Sequence, residues 1–229
     1  MVISIIIPAF NEEKTIIEIL KRVNRQTYKG IELEIIVIDD SSTDSTKELL
    51  ISNSDLYTKF ISLDKNLGKG GAVKEGLKIA SGTYILFQDA DLEYNPQEYP
   101  KIFKMIEDFD ADVVIGSRFL SPEFTRVHYF FHKMGNRIIT GLFNLIYNTT
   151  FTDIYSCYLC FRRELIDPLK LKSNGWSQHA EILATAINKS KIFYEVPISY
   201  SGRTFEEGKK IKARHAFSVI YMIIKKRLF

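Results

Sequence analysis

Short apolar runs that alternate with helical segments restrict the fold of this sequence more than any other feature. Residues 2–7 form a continuous β-branched run that ends at Pro8, and residues 33–38 form a second run. Uninterrupted runs of this length are typical of strands buried on both faces of a parallel sheet. Residues 57–63 and the run that begins at Tyr84 indicate two further strands. The sequence therefore predicts an α/β fold with a mostly parallel central sheet flanked by helices.

Helix start signals lie between these runs. Asn11 is a candidate N-cap for a first helix, and Ser42 is a candidate N-cap for a second. Beyond the fourth strand, the pattern predicts a helix over residues 97–109 and a strand over residues 112–116. The chain shows no linker, so we expect one domain over residues 1–229.

Polar residues collect where the predicted strands end. In parallel sheets, ligands bind outside the carboxyl ends of the strands, so these residues predict one crevice of the nucleotide-binding type. They are residues 8–12, Asp39 and Asp40, the glycine-rich segment 66–71, and residues 89–91.

Acidic residues form the most distinctive of these groups. Asp89 and Asp91 follow the fourth strand one residue apart, and Glu93 comes two positions later. Carboxylates this close repel one another, and a nearby cation offsets that repulsion. Oxygen ligands suit Mg²⁺ or Mn²⁺, which typically join protein to phosphate. The spacing alone is also that of a solvated acidic turn, so the tripeptide does not decide between the two interpretations.

Net charge is distributed unevenly along the chain. The 229 residues carry a net charge of +3, but residues 201–229 hold eight Lys or Arg and two acidic residues. A basic end indicates an anionic partner: a phosphate, an acidic lipid headgroup or a nucleic acid.

Cys157 and Cys160 have the spacing of a redox pair or of half a zinc site. The sequence has no second cysteine pair or suitable histidine pair to complete a zinc site, which favours structural thiols in a strand. His128 and His132 are four residues apart but lack a third ligand, so interfacial or core positions are favoured for them.

Apolar segments in the second half lead to two open alternatives. Residues 127–151 mix aromatic, aliphatic and cationic side chains, which fits an interfacial helix or an amphipathic helix packed on the sheet. Residues 214–229 end in Lys225-Lys226-Arg227, which fits an interfacial helix or one docked on a partner subunit. We find neither a signal peptide nor an apolar run long enough to span a membrane, and expect a cytoplasmic protein, free or peripheral at the inner membrane face.

Several of these segments occur in an order that resembles family 2 glycosyltransferases of the GT-A fold, and most of all the dolichol-phosphate mannosyltransferase-like branch that glycosylates polyprenyl phosphates. Any one motif is weak, but the ordered set covers nearly the whole chain. The motifs are residues 5–13, Val37-Ile38-Asp39-Asp40-Ser41-Ser42, Asn66-Leu67-Gly68-Lys69-Gly70, Asp89-Ala90-Asp91, Gly116-Ser117-Arg118, residues 152–158 and residues 195–211.

The resemblance implies roles for individual residues. Residues 1–118 would form the half that binds a nucleotide-sugar donor, and residues 119–229 the half that binds the acceptor, with a basic interfacial C-terminal helix. Asp39 would hydrogen-bond the base, and Arg118, Arg203 and Lys209 would hold a phosphate. The other residues implied for the donor are Pro8, Ala9, Phe10, Glu12, Asp40, Gly68, Lys69 and Ala90.

The resemblance also implies catalytic residues and a metal. Asp89 and Asp91 would meet Mg²⁺ or Mn²⁺ on the donor diphosphate, with Glu93 as a further oxygen ligand at a position where relatives often carry Gln. A lipid phosphate acceptor is already anionic, whereas a hydroxyl acceptor would need Asp153 or Glu181 as a base.

His179 stands where relatives carry an acidic or another polar residue. It either tunes the choice of donor or caps a helix, and the sequence favours neither role.

The resulting hypothesis is an inverting, metal-dependent glycosyltransferase that moves a sugar from a GDP- or UDP-sugar to a polyprenyl phosphate. Its partners would be the donor, the lipid, and either the membrane surface or an integral membrane protein, with no nucleic acid. The alternatives are a transferase that acts on a glycan hydroxyl, a nucleotidyltransferase, and a membrane-docked binding module without turnover. A nucleotidyltransferase would ordinarily carry a basic glycine-rich loop after the first strand, where this chain has Pro8-Ala9-Phe10-Asn11-Glu12.

Overall fold

A computed structural model describes residues 1–120, 130–202 and 215–228. Seven strands form one sheet. They are β1 (Val2–Ala9), β2 (Glu32–Asp39), β3 (Lys59–Ser62), β4 (Tyr84–Phe87), β5 (Val113–Ser117), β6 (Leu159–Arg162) and β7 (Phe193–Pro197).

The described residues also contain seven α-helices. They are α1 (Ile16–Asn24), α2 (Thr46–Ser52), α3 (Lys69–Ile79), α4 (Tyr99–Phe109), α5 (Phe130–Tyr147), α6 (Gln178–Lys189) and α7 (His215–Leu228). Short 3-10 turns cover Ser54–Leu56, Pro96–Glu98, Arg163–Leu165 and Pro168–Lys170.

The strand order is β3-β2-β1-β4-β6-β5-β7, and the α/β fold with a mostly parallel sheet is confirmed. β6 is the exception, because it runs antiparallel to both of its neighbours, β4 and β5. The apolar runs explain the centre of the sheet. Ile3, Ile5, Ile6 and Ile7 of β1 are fully buried between the two helical layers, as expected for a strand covered on both faces.

Both predicted helix caps are wrong for the same physical reason. Asn11 adopts a positive φ of 53°, and α1 begins only at Ile16. The Asn11 amide N–H donates to Ser42 Oγ at 3.0 Å, and Asn11 Oδ1 accepts from the Thr43 amide at 2.8 Å. The two polar residues therefore fasten the loops after β1 and β2 to each other instead of capping their own helices.

The other predicted boundaries differ by a few residues. The third strand is shorter than residues 57–63, and the predicted helix over 97–109 starts with a 3-10 turn before α4. Cys160 lies in β6 and Cys157 just before it, and both are buried free thiols. This agrees with the structural role predicted for them.

The helices of the second half pack on one another. Phe143 and Tyr147 of α5 stack with ring centroids 4.4 Å apart, and Tyr147 Oη donates to the carbonyl of Ile223 in α7 at 2.9 Å. The opposite side of α5 is exposed, including Phe131 and Ile138. Of the helices in the described part of the chain, none is long and apolar enough to cross a membrane. His128 lies outside the described residues.

Glu34 is a buried acid on β2 that ties three elements together. Its carboxylate accepts hydrogen bonds from Ser4 Oγ, from the Ser81 amide at 2.8 Å and from Ser81 Oγ at 2.7 Å, and it pairs with Lys59 Nζ at 2.6 Å. Burial opposes ionisation, but the bonds from Lys59, Ser4 and Ser81 outweigh it and lower the pKa of Glu34 to about 2. The ionised form therefore stabilises the fold.

We expect Glu34→Gln to lower the free energy of unfolding at pH 7 by about 1–3 kcal/mol, since each pKa unit corresponds to about 1.4 kcal/mol. The contribution is fully present above the ordinary pKa of 4.5 and is lost as the pH falls towards about 2. Urea denaturation of both proteins at pH 7 and at pH 3 measures this. The difference in unfolding free energy between wild type and Glu34→Gln should be smaller by half or more at pH 3 than at pH 7. The same difference at both pH values would contradict a stabilising role for ionised Glu34.

Candidate functional site

A cleft of about 340 Å³ lies at the carboxyl ends of β1, β2 and β4. It brings together most of the residues predicted for the donor and the metal, as expected for the ligand edge of a parallel sheet. Of the predicted residues, those that line it are Pro8, Ala9, Phe10, Glu12, Asp40, Gly68, Lys69, Asp89, Ala90, Asp91 and Glu93.

Asp39 and Asp40 take different places at the end of β2. Asp40 lines the cleft, and its Oδ1 accepts from the Leu67 amide at 2.7 Å. Burial raises the pKa of Asp40. Asp39 is fully buried and accepts from the Ser42 amide at 3.3 Å and from Ser62 Oγ at 3.2 Å. Asp39 thus fastens β2 to its neighbours, and its contact to a base stays a prediction.

The glycine-rich segment lets the start of α3 approach the loop before α6. Gly68 has a φ of +78°, and a Cβ there would lie 2.9 Å from the carbonyl oxygen of Asn174. The Gly70 and Gly71 amides both donate to that oxygen, at 2.8 and 3.2 Å. Backbone contact of this kind leaves no room for a side chain at Gly68 or Gly70.

Two aromatic residues that the sequence did not single out as site residues also line the cleft. Trp176 follows the Asn174 loop, and Tyr200 follows β7. Trp176 is the single tryptophan of the chain. Its position next to Gly175 in a polar loop is the sequence feature that could have identified it as a site residue.

Lys69 and Asp89 form an ion pair across the cleft, and the Lys69 ammonium lies 5.7 Å from the centroid of the Trp176 ring. Burial opposes the charge on Asp89, but Lys69 outweighs it through its charge and its hydrogen bond, so the pKa of Asp89 is lowered. Burial likewise opposes the charge on Lys69, and Asp89 outweighs it and raises the pKa of Lys69.

Asp91 and Glu93 are held separately from this pair. Asp91 Oδ1 accepts from the Glu93 amide at 3.1 Å, and the Glu93 carboxylate accepts from Tyr200 Oη at 2.5 Å. Within the ranges that the structure describes, no three His, Cys, Asp or Glu side chains stand together as a metal cage. Asp89, Asp91 and Glu93 all line the cleft, and their role as metal ligands stays a prediction.

The residues present nevertheless fit a divalent ion that arrives with a diphosphate. Mg²⁺ is usually bound by one or two carboxylates together with substrate phosphates, and it keeps several waters. Asp89 and Asp91 line the same cleft and supply hard oxygen ligands of that kind.

Arg118 and Asp153 form a buried bidentate ion pair. Arg118 Nε donates to Asp153 Oδ2 at 2.7 Å, and its second guanidinium nitrogen donates to Oδ1 at 2.9 Å. Asp153 is fully buried, and its amide donates to Glu195 at 3.0 Å. Asp153 thus orients Arg118, and its alternative role as a base stays a prediction.

Glu181 lies outside the cleft lining. It is fully buried, accepts from the amides of Lys172 at 3.1 Å and Ser173 at 2.8 Å, and pairs with Lys226 of α7 at 3.0 Å. These contacts join α6, α7 and the preceding loop, and a role of Glu181 as a base stays a prediction. Arg203 and Lys209 lie outside the described residues.

A smaller cavity of about 70 Å³ adjoins the cleft and shares Lys69, Asp89 and Trp176 with it. Arg118 and His179 line this cavity. Burial, and then the charge of Lys69, lower the pKa of His179 to about 4. Ser177 is the N-cap of α6, so His179 is not a helix cap.

Comparisons with known proteins identify the family and the fold of the chain. The family model described as "Glycosyl transferase family 2" matches residues 4–169. The chain is 31% identical to a dolichol-phosphate mannosyltransferase of Pyrococcus furiosus over 98% of its own length and 64% of the relative. It is 30% identical to an uncharacterized protein of Methanocaldococcus jannaschii, over 85% of this chain and 87% of that protein.

A third relative is an undecaprenyl-phosphate 4-deoxy-4-formamido-L-arabinose transferase of Salmonella paratyphi B, 31% identical over 90% of this chain and 62% of that one. The chain thus spans less than two thirds of the length of both relatives named as transferases. Among solved structures, glucosyl-3-phosphoglycerate synthase of Mycobacterium tuberculosis aligns with a TM-score of 0.73 at 20% identity, over 100% of this chain and 80% of that one. This likeness confirms the predicted GT-A fold.

We expect Asp153→Asn to lower the free energy of unfolding by about 3–5 kcal/mol, because it leaves the Arg118 guanidinium buried beside a neutral partner. Chemical denaturation at pH 7 measures the loss. The double variant Arg118→Met/Asp153→Leu removes both charges and should recover part of the stability. If Asp153→Asn unfolds like the wild-type protein, the ion pair does not fix Arg118.

Proposed function

The chain belongs to glycosyl transferase family 2, and from that premise we propose that it transfers a sugar, with inversion, from a GDP- or UDP-sugar to a polyprenyl phosphate. One observation carries the proposal: the cleft at the ligand edge of the sheet places Asp89, Asp91 and Lys69 beside the cavity that Arg118 lines. Both relatives with named activities are named as enzymes of dolichol phosphate or undecaprenyl phosphate.

The cleft has separate walls for the two parts of a nucleotide. Pro8, Ala9 and Phe10 offer apolar contact for a nucleoside at the end of β1. Lys69 and the two aspartates offer a cation and oxygen ligands for a diphosphate. A divalent ion bound there would neutralise charge that develops on the departing diphosphate. Lys69 would hold the same oxygens by donating hydrogen bonds to them.

The arrangement of carboxylates supports a phosphate acceptor over a hydroxyl acceptor. A hydroxyl must lose a proton to a base, whereas a phosphate oxygen is already anionic. Asp153 and Glu181, the two bases that the sequence offered, are both fully buried and bonded to protein groups. The work left to the protein is to position the phosphate, which a guanidinium such as Arg118 does well.

A route for the lipid begins next to Arg118. The guanidinium lies 5.5 Å from the ring centroid of Phe119, and Lys133 of α5 lies 5.6 Å from the same ring. From there α5 exposes Phe131, Met134 and Ile138 along one face. The spacing of these residues is that of a helix lying in a membrane interface.

The helix that packs beside α5 has the same character. α7 exposes Phe217, Tyr221 and Leu228 and carries three successive cations at residues 225–227. Cations next to exposed aromatic residues suit an anionic lipid surface. We propose that the protein works at the cytoplasmic face of the membrane, either directly or on an integral membrane partner.

Asp91→Ala should lower sugar transfer with Mg²⁺ or Mn²⁺ at least about 100-fold, because an electrostatic contact to the leaving diphosphate is lost. Turnover of a nucleotide-sugar in the presence of polyprenyl phosphate measures this. Asp108→Ala, which removes an exposed carboxylate on α4, is the matched control and should behave as wild type. Undiminished sugar transfer by Asp91→Ala would contradict the proposed role of Asp91 in binding the metal.

The acceptor is tested by supplying radiolabelled donor with either polyprenyl phosphate or a glycan. We expect label to enter the lipid fraction as an acid-labile phosphodiester, because the anionic phosphate needs no base. Label that enters only the glycan would identify the hydroxyl-directed transferase instead. A donor that binds without any transfer or hydrolysis would identify a binding module.

A further inference from the structure

Two side-chain nitrogens at the start of α6 lack hydrogen-bond partners although they are buried. They are Nε2 of Gln178 and Nε2 of His179. Both side chains line the cavity of about 70 Å³ beside the cleft. A buried polar atom without a partner destabilises the protein, so such atoms in a binding cavity point to a ligand that forms hydrogen bonds with them.

The chemistry of the two nitrogens restricts the ligand. The Gln178 amide nitrogen is a donor and requires an oxygen acceptor. The His179 ring is neutral near pH 7, because burial and the nearby Lys69 charge lower its pKa to about 4. A neutral imidazole donates at one nitrogen and accepts at the other, and a hydroxyl group satisfies either.

The charged groups of the cavity are compatible with a neutral ligand next to the acceptor phosphate. Lys69 is paired with Asp89, and Arg118 is paired with Asp153. The Glu93 carboxylate belongs to the same lining. A sugar ring brings several uncharged oxygens to Gln178 and His179 and leaves Arg118 for the acceptor phosphate.

The position of the cavity matches the sugar of the donor. Lys69 and Asp89 line both spaces, so a sugar attached to a diphosphate held by them would enter the smaller one. Trp176 also lines both spaces, and its carbonyl accepts a hydrogen bond from Tyr155 Oη, which fixes the loop that carries it. An aromatic ring beside the polar nitrogens offers contact to the apolar face of a sugar.

We propose that Gln178 and His179 bind hydroxyl groups of the donor sugar and thereby determine which sugar is transferred. The inference rests on the proposed function, since it assumes a nucleotide-sugar donor in the cleft. It assigns specificity to the start of α6.

The test compares binding of a nucleotide-sugar with binding of its own nucleoside diphosphate. A thermal-shift screen of wild type with Mn²⁺ first identifies the base and the sugar. Calorimetry then gives the Kd of both ligands for wild type, Gln178→Leu and His179→Phe. The ratio of the nucleotide-sugar Kd to the nucleoside diphosphate Kd should rise about 3–10-fold in each variant, as one hydrogen bond is lost. The Kd of the diphosphate alone should stay within about twofold of wild type, since only the sugar contacts are removed.

Ser190→Ala is the matched control. Ser190 Oγ is also buried without a hydrogen-bond partner, but it lies at the opposite end of α6, away from the cavity lining. Its removal should leave the ratio unchanged. Gln178→Glu keeps the side-chain shape and exchanges the donor for an acceptor, so it serves if the leucine variant does not fold.

Each outcome separates the two proposals. If wild type binds no nucleotide-sugar, the proposed function fails and this inference falls with it. If wild type binds but the variants keep its ratio, or weaken both ligands equally, the sugar assignment alone is overturned. Unchanged ratios with weaker binding of polyprenyl phosphate would assign the cavity to the acceptor.

Discussion

The backbone contact between the start of α3 and the loop at Asn174 gives the cleft its shape. The Gly70 and Gly71 amides meet one carbonyl oxygen, and the absence of side chains at Gly68 and Gly70 allows the approach. The contact joins the half of the chain that supplies the acidic residues to the half that supplies Trp176. Gly175 and Trp176, which follow that loop, line both the cleft and the cavity beside α6.

The acidic stretch shows how local pattern and tertiary contact combine. Repulsion between Asp89 and Asp91 predicts a nearby cation, and the structure supplies one from the chain itself in Lys69. That lysine is the first residue of α3, twenty positions earlier, so the pairing depends on the packing of α3 on β1 and β2. A cation that arrives with a diphosphate would therefore join a site that is already partly neutralised.

The parts of the fold that depend on local pattern were predictable, and the parts that depend on long-range pairing were not. The apolar runs of β1 and β2 are continuous because helices cover both faces of the sheet. The absence of a polar residue at every second position of these runs therefore indicates strands buried on both faces. Asn11 and Ser42 have ideal capping side chains, yet they bond to each other's loops across 31 positions of sequence. The family resemblance pointed to Asp153 and Glu181 as candidate bases. Only the fold shows that Arg118 pairs with Asp153 and that Lys226 pairs with Glu181.

The reversed direction of β6 decides which segments of the second half reach the ligand edge. At the edge of the sheet that carries the cleft, each parallel strand places the residues that follow it. β6 runs the opposite way and places there the residues that precede it. Asp153, which comes before β6, thereby meets Arg118, which comes after β5. The turn after β6 opens instead on the far edge, where the Arg163 amide bonds to the carbonyl of Thr83. The two edges of the sheet therefore differ in how they tolerate insertions. A turn on the far edge can lengthen without disturbing substrate contacts, whereas the segment that leads into β6 must keep its length for Asp153 to reach Arg118.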